Sequence, residues 1–211
     1  IWSCHSGFSY ERKFQELPFV KNNYITFGSF NNFLKISDEV VKTWSSILKK
    51  VDGSKLILKS SESYDCEIIM KKFAEYKVDK SITILDKNNY IKAEDHLNVY
   101  NKVDIALDTF PYTGVTTTFE ALWKGIPVIT MAGHNFKSRC GESILKNAKL
   151  ESLICSDSND YINKTLKLVK DIDNLKILRT DLFTNVLKTP LFDNKKYTME
   201  FQKILLTKYS R

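Results

Sequence analysis

No two cysteines stand close together. Cys4, Cys66, Cys140 and Cys155 make no CxxC pair and no Cys/His cluster, so the usual zinc spacings are missing. They are also too sparse for a disulfide framework, a usage that fits a reducing cytoplasm. Long apolar runs are missing too: the longest fall far below the roughly 20 residues of a membrane span. No basic segment leads into an apolar one, so no signal peptide is read. Several familiar catalytic signatures are absent: a Ser/His/Asp constellation, H-E-x-x-H, a Walker A loop and G-x-G-x-x-G. Of three histidines, His5 and His134 have no partner at a recognisable spacing. The 32 basic residues outnumber 25 acidic ones, for a net charge of +7, yet they form no stripe or block. That scatter disfavours nucleic acid. It fits a solvated, lysine-rich surface, with a phosphate-bearing ligand as the sharper alternative.

What is present is enough apolar residue for a core. Hydrophobic residues make up 43% of 211, and aromatics 12%, which suits one α/β domain with an appendage. The chain opens on Ile-Trp-Ser-Cys, without Met, and reads as the middle of a longer polypeptide. Residues 1–22 lack periodicity and read as a linker into a first strand, "YITFGSF" at 24–30. "NNFLK" reads as a loop. Ser37 or Asp38 caps a helix whose stripe is Val40, Val41, Trp44, Ile47 and Leu48, stopped by Asp52-Gly53. Strands follow at 55–59, 81–85, 103–108 and 127–130, and a short one in "LESLIC". Helices are read at 65–77 (stripe Ile68, Ile69, Phe73, Ala74), 93–102, 116–124 and 138–148, and through most of the remainder. Strand and helix alternate with no Asn-Gly hairpin. The expected fold is therefore α/β: a parallel sheet with helices on both faces. Ligands of such sheets bind at the carboxyl ends of the strands.

Two loops at those ends carry candidate chemistry. After "VDIALD" the chain turns through Phe110-Pro111-Tyr112-Thr113-Gly114 into three consecutive threonines. Gly114 permits torsions or a close approach that a side chain would block. Thr116 and Thr117 begin a helix whose first N–H groups have no internal partners and favour an anion such as a diphosphate. The alternative is that the threonines are ordinary helix caps. Glu120, one turn on, faces the same side and suits a ribose, or simply complements the helix dipole. In the other loop, "GSFNNFLK", Asn31, Asn32 and Lys35 offer amides and a cation for phosphate, or form a polar cap for the next helix. His96 is either a surface or core histidine or part of the site. "DID" at 171–173 lies amid helical sequence and is not read as a metal site.

Three segments together resemble a known family. "FGSFNNFLKISDEVVKTWSSILKKVDGSKLILKS", "DHLNVYNKVDIALDTFPYTGVTTTFEALWKGIPVITMAG" and "TPLFDNKKYTMEF" are similar, in the same order, to the carboxyl-terminal catalytic half of the O-GlcNAc transferase/SPINDLY family, across about residues 24–205. The resemblance implies the donor-binding lobe of a two-lobed GT-B glycosyltransferase, a Rossmann-like, doubly wound parallel sheet needing neither cofactor nor metal. The divisions would be a linker at 1–22, the nucleotide-sugar lobe at 23–190 and a helix at 191–211 packing toward the other lobe. An amino-terminal lobe with tetratricopeptide repeats would precede it and supply the general base and acceptor selection. The substrates implied are a nucleotide sugar, UDP-GlcNAc first, and a protein Ser/Thr hydroxyl. Alternatives are a guanine-nucleotide fucose donor, as in SPINDLY-type proteins, and a non-catalytic nucleotide-binding module.

Residue by residue, the resemblance matches Asn31, Asn32 and Lys35 to the nucleotide-sugar site after the first strand, with Lys35 on the diphosphate as stabiliser of the leaving group. It places His96 near the base, Gly114, Thr116 and Thr117 on the phosphates with Val115 between them in the nucleotide-sugar site, and Glu120, where animal O-GlcNAc transferase has Asp, on the ribose. Val115, Ala93 and Val99 depart from that enzyme, which has His, Lys and Arg there. The base of the donor therefore stays open between uracil and guanine.

Overall fold

The computed structural model describes residues 12–59, 63–85 and 93–209. Six strands form one sheet: β1 (Thr26–Ser29), β2 (Lys55–Lys59), β3 (Ile82–Leu85), β4 (Ile105–Leu107), β5 (Val128–Met131) and β6 (Ile154–Cys155). Their order is β3-β2-β1-β4-β5-β6, and every neighbouring pair is parallel. The sequence of the inner strands explains the arrangement. All four residues of β1 are buried, as are Leu56, Ile57 and Leu58 of β2, so these strands need cover on both faces. Gly28 in β1 is required by close packing, because a Cβ there would lie 2.5 Å from Val103 Cγ2.

The helices are α1 (Pro18–Asn22), α2 (Asp38–Lys50), α3 (Ser63–Glu75), α4 (Ala93–Val99), α5 (Thr116–Trp123), α6 (Phe136–Asn147), α7 (Ser158–Lys170), α8 (Ile172–Asn185) and α9 (Asn194–Tyr209). The strand order runs outward from β1 in one direction and from β4 in the other. Right-handed crossovers then set α2 and α3 against one face and α5 and α6 against the other. Helix α7 returns to pack on α2. Ser37 caps α2, accepting from Val40 N at 3.3 Å, and the expected stripe from Val40 to Leu48 is buried. In α3 the stripe is rotated: Ile69 and Phe73 are buried, whereas Ile68 and Ala74 face solvent. Cys66 and Met70, at helical spacing with Phe73, complete the true packing face.

Other differences are local. "NNFLK" contains a 3₁₀ turn over Phe33–Lys35, and the stretch leading to β1 contains α1, begun by Pro18 at its first position. Asp171 of the "DID" triplet caps α8, accepting from Asn174 N at 3.0 Å. Residues 12–22 are tied to the sheet by two buried charges. Asp104 accepts from Phe19 N at 2.9 Å and Thr26 N at 2.8 Å. Arg179 of α8 donates to Gln15 O at 2.8 Å and Val103 O at 2.9 Å. At the other end, Phe192 plugs against Phe119 and Trp123 before α9 leaves the body of the fold. Among the described residues, no helix is long and apolar enough to cross a membrane.

Candidate functional site

The strand order reverses between β1 and β4, and the loops after these two strands meet there. Asn31 follows β1, and its Nδ2 donates to Asp108 Oδ1, after β4, at 3.2 Å. Thr117 Oγ1 donates to Asn31 Oδ1 at 3.1 Å, which links the first turn of α5 to the same point. The crevice at such a reversal is where open α/β sheets hold ligands.

Asp108 organises the loop beneath. Its Oδ1 also accepts from Thr109 N at 2.9 Å and Gly114 N at 2.6 Å, and its Oδ2 accepts from Thr130 Oγ1 at 2.8 Å. Burial raises its pKa to about 6, opposed by these hydrogen bonds and by the nearby Lys35 cation. Two glycines make room. A Cβ at Gly114 would fall 2.6 Å from Thr117 Oγ1, and one at Gly141 would fall 2.2 Å from Thr130 Oγ1. The Gly114 requirement is thus close approach rather than a left-handed torsion.

The threonines are not caps. The N-cap of α5 is Val115, whose side chain supplies no hydrogen bond, and Thr116 is the first helical residue. The opening N–H groups of α5 are therefore left without a side-chain partner at an exposed edge. Thr116 is exposed, Thr117 half-buried and Thr118 buried. Lys35 reaches across from its 3₁₀ turn. Its Nζ donates to Thr113 O at 3.1 Å and lies 3.9 Å from the centre of the Tyr112 ring. Burial lowers its pKa, and Asp108 followed by Cys140 draws it part of the way back. Asn32 differs from its neighbour: it is exposed, and its Oδ1 accepts from Leu34 N at 2.9 Å to cap its own turn.

A second cluster adjoins the first. Glu120 Oε2 accepts from Tyr100 OH at 2.7 Å and pairs with His96 Nε2 at 3.0 Å. His96 Nδ1 lies 2.6 Å from Lys59 Nζ, at the end of β2. Tyr100 OH also lies 3.3 Å from Thr117 O, which sets the two clusters side by side. Burial, then the charge of Glu120 and its hydrogen bond, raises the Tyr100 hydroxyl well above its ordinary value, so it stays a donor. Lys59 is lowered by burial, with Glu120 opposing.

The structure thus joins Asn31, Thr117, Glu120 and His96 in one network and sets Gly114 and Lys35 at its margin. Asp108, Tyr100 and Lys59 were not singled out from the sequence. Asp108 and Lys59 each end an apolar strand, and Tyr100 stands four residues after His96; those positions were the available signal. Beside Val115 lies a groove of about 520 Å³, lined in part by His134, Phe136, Arg139, Cys140 and Glu142. Among the described residues, no group of three or more His, Cys, Asp or Glu is placed to hold a metal ion.

A six-stranded, all-parallel sheet flanked by helices is the fold of a GT-B glycosyltransferase lobe. The glycosyl transferase family 41 model matches residues 11–201, and the chain belongs to that family. A protein of Solanum lycopersicum named "Probable UDP-N-acetylglucosamine--peptide N-acetylglucosaminyltransferase SPINDLY" is 35% identical over 92% of this chain and 21% of its own length. The Oryza sativa subsp. japonica protein of the same name is 37% identical over 86% of this chain and 20% of its own. An O-GlcNAc transferase mutant from Thermobaculum terrenum superposes with a TM-score of 0.80 and 30% identity. That match covers 87% of this chain and 36% of the other. The carboxyl-terminal domain of a group 1 glycosyl transferase from Francisella tularensis, at 13% identity and TM-score 0.63, shares the fold over 97% of its length. The chain spans about a fifth of the length of the curated relatives it matches.

Proposed function

We propose that this chain is the donor-binding lobe of a protein O-glycosyltransferase, with a nucleotide sugar held across the carboxyl ends of β1, β2 and β4. The observation that carries the reading is the hydrogen-bonded meeting of Asn31, Asp108 and Thr117 at the strand-order reversal, beside an uncapped helix terminus and Lys35. In this reading the diphosphate lies on the first N–H groups of α5, with Thr116, Thr117, Asn32 and Lys35 as further donors. Gly114 and Val115 shape the approach. Glu120 holds the ribose, and His96 lies near the base.

The chemistry follows from where charge develops. As the sugar's anomeric carbon parts from the β-phosphate oxygen, negative charge grows on the departing diphosphate. The α5 terminus, the threonine hydroxyls and the Lys35 ammonium stabilise it more than they stabilise the less charged ground state. Lys35 is released from Thr113 O to do so. The cavity among Ser29, Asn31, Tyr100, Asp108 and Thr117 is only about 20 Å³, room for one water, so the nucleotide lies on the ledge above it. The general base, acceptor selection and tetratricopeptide repeats are assigned to an amino-terminal lobe, with a protein Ser/Thr hydroxyl as acceptor. Residues 23–190 form most of the donor lobe, Leu191 and Phe192 close it, and α9 reaches toward its partner. UDP-GlcNAc is the donor, in line with the names of the plant relatives. A guanine donor is the alternative, since Val115 is apolar where a histidine would polarise the site. Charge stabilisation by Lys35 and the helix makes a metal unnecessary.

Calorimetric titration of the chain with UDP and with GDP, in EDTA, tests this. Binding of UDP over GDP, lost about tenfold or more in Lys35→Ala with the melting temperature unchanged, is the expected result. A preference for GDP moves the donor to the guanine class. Binding of neither nucleotide, or binding that survives Lys35→Ala intact, overturns the assignment of this edge.

A further inference from the structure

We infer that Lys59 is a positioning residue for the nucleoside end of the site, acting through the tautomer of His96 on the carboxylate of Glu120. The inference rests on the reading of Glu120 as the ribose acceptor. Its geometry stands independently of that reading.

Three elements bring the groups together: Lys59 ends β2, His96 lies on α4 and Glu120 on the second turn of α5. An ammonium only donates. At 2.6 Å from Lys59 Nζ, His96 Nδ1 must therefore be the acceptor and carry no proton. The ring is then neutral with its proton on Nε2, and Nε2 donates to Glu120 Oε2 at 3.0 Å. Tyr100 OH donates to the same oxygen at 2.7 Å. Oε2 is thus occupied by two donors, while Oε1 takes no hydrogen bond from the described residues. The carboxylate is aimed: one oxygen is held inside the fold and the other is presented.

Two consequences follow for a ligand. With both ring nitrogens engaged, His96 meets a base by its face or edge, not by hydrogen-bonding it. The ribose meets a single fixed acceptor, Oε1. Without the Lys59 ammonium only Glu120 Oε2 holds the proton on Nε2, and Nδ1 is left open to a proton. The Nδ1-H tautomer would turn a lone pair on Nε2 toward Glu120 Oε2, and the repulsion would swing the carboxylate away from its presented position. Lys59 touches none of the reacting atoms in this scheme, so its effect falls on the nucleoside and not on the diphosphate.

The test is Lys59→Met, which keeps length and removes the charge, with Lys59→Arg as the rescue. Two readouts are needed. Nitrogen-15 NMR of the imidazoles in the unliganded chain reports the His96 tautomer. Titration with UDP, UMP and inorganic pyrophosphate separates nucleoside from phosphate binding. Expected are the Nε2-H tautomer in the wild type, and loss or mixing of it in Lys59→Met. UDP and UMP affinity should fall about tenfold, the scale of one hydrogen bond to a charged group, with pyrophosphate unchanged and Arg restoring both. The same tautomer in wild type and Lys59→Met overturns the inference, whether or not nucleotides bind. Unchanged UMP affinity does so too, as does an equal loss for pyrophosphate, which would make Lys59 a phosphate contact. If Lys59→Met shifts the tautomer but the wild type binds no nucleotide, the donor-lobe reading and the ligand half of the inference fail, and the internal relay stands.

Discussion

At the scale of the residue, Asp108 shows how the two halves of the sheet are held in register. Its four donors come from the loop after β1, from its own turn, from Gly114 and from β5. Gly114 is the tightest point of this arrangement, since an added Cβ would meet Thr117 Oγ1 at 2.6 Å, Thr118 Oγ1 at 2.8 Å and Asp108 Oδ1 at 3.0 Å. None of these is the far end of a long, yielding side chain. Gly114→Ala is therefore expected to push the start of α5 outward, cost about 1–3 kcal/mol in urea denaturation and weaken UDP at least tenfold. An unchanged affinity would show that the α5 terminus is not a ligand surface. Asp108 itself was legible only as the end of "VDIALD". Its partners Asn31 and Thr130 are 77 and 22 positions away in the chain, and no local pattern encodes such a meeting. Lys35, Thr117 and Glu120 could be singled out by local rules, Lys35 from the loop after a strand and Thr117 and Glu120 from the opening turns of a helix.

At the scale of the element, strands and helices were read in the right order because apolar runs and stripes carry that information. The misses lie where tertiary contacts decide. The α3 stripe is shifted by which face meets the sheet, and α5 begins at a valine although threonine is the better intrinsic cap. Helix α1 and β1 are joined by a charge buried in the fold, Asp104, which accepts from Phe19 N and Thr26 N. Burial raises Asp104 to about 6, from an ordinary 3.8, with those hydrogen bonds and Arg179 opposing. The folded chain thus keeps a proton that the unfolded chain sheds between about pH 4 and 6. The stabilisation linked to that proton is full below pH 3.8 and lost as pH rises through 6. Asp104→Asn lacks this titration. Its stability deficit against the wild type is expected to shrink between pH 4 and pH 7, by on the order of 2–3 kcal/mol. Urea midpoints across that range measure it, and a deficit that stays constant or grows with pH would rule out a raised Asp104.

At the scale of the whole molecule, the body of the lobe is complete at Phe192, and α9 is the exception. Leu191 and Phe192 are buried, with Phe192 against Phe119 and Trp123, yet every residue from 201 to 208 is exposed. Met199, Phe201 and Ile204 are 63%, 50% and 58% exposed on a helix of 16 residues. An isolated helix of that length gains little from propensity alone and normally depends on packing an apolar face. Its composition therefore fits the proposed role as a reach toward an amino-terminal lobe, where these side chains would be covered. That role separates α9 energetically from the donor site. Phe201→Ser with Ile204→Ser should leave the melting temperature within about 2 °C of the wild type, as exposed positions do. UDP affinity should be equally untouched, while association with a separately produced amino-terminal lobe should weaken. Calorimetry and co-sedimentation read the two effects side by side. A drop of many degrees would mean that α9 packs within this lobe, and the division at 190 would then be wrong. Unchanged association would leave the apolar face without the partner proposed for it, and the two-lobed assembly would have to be built through another surface.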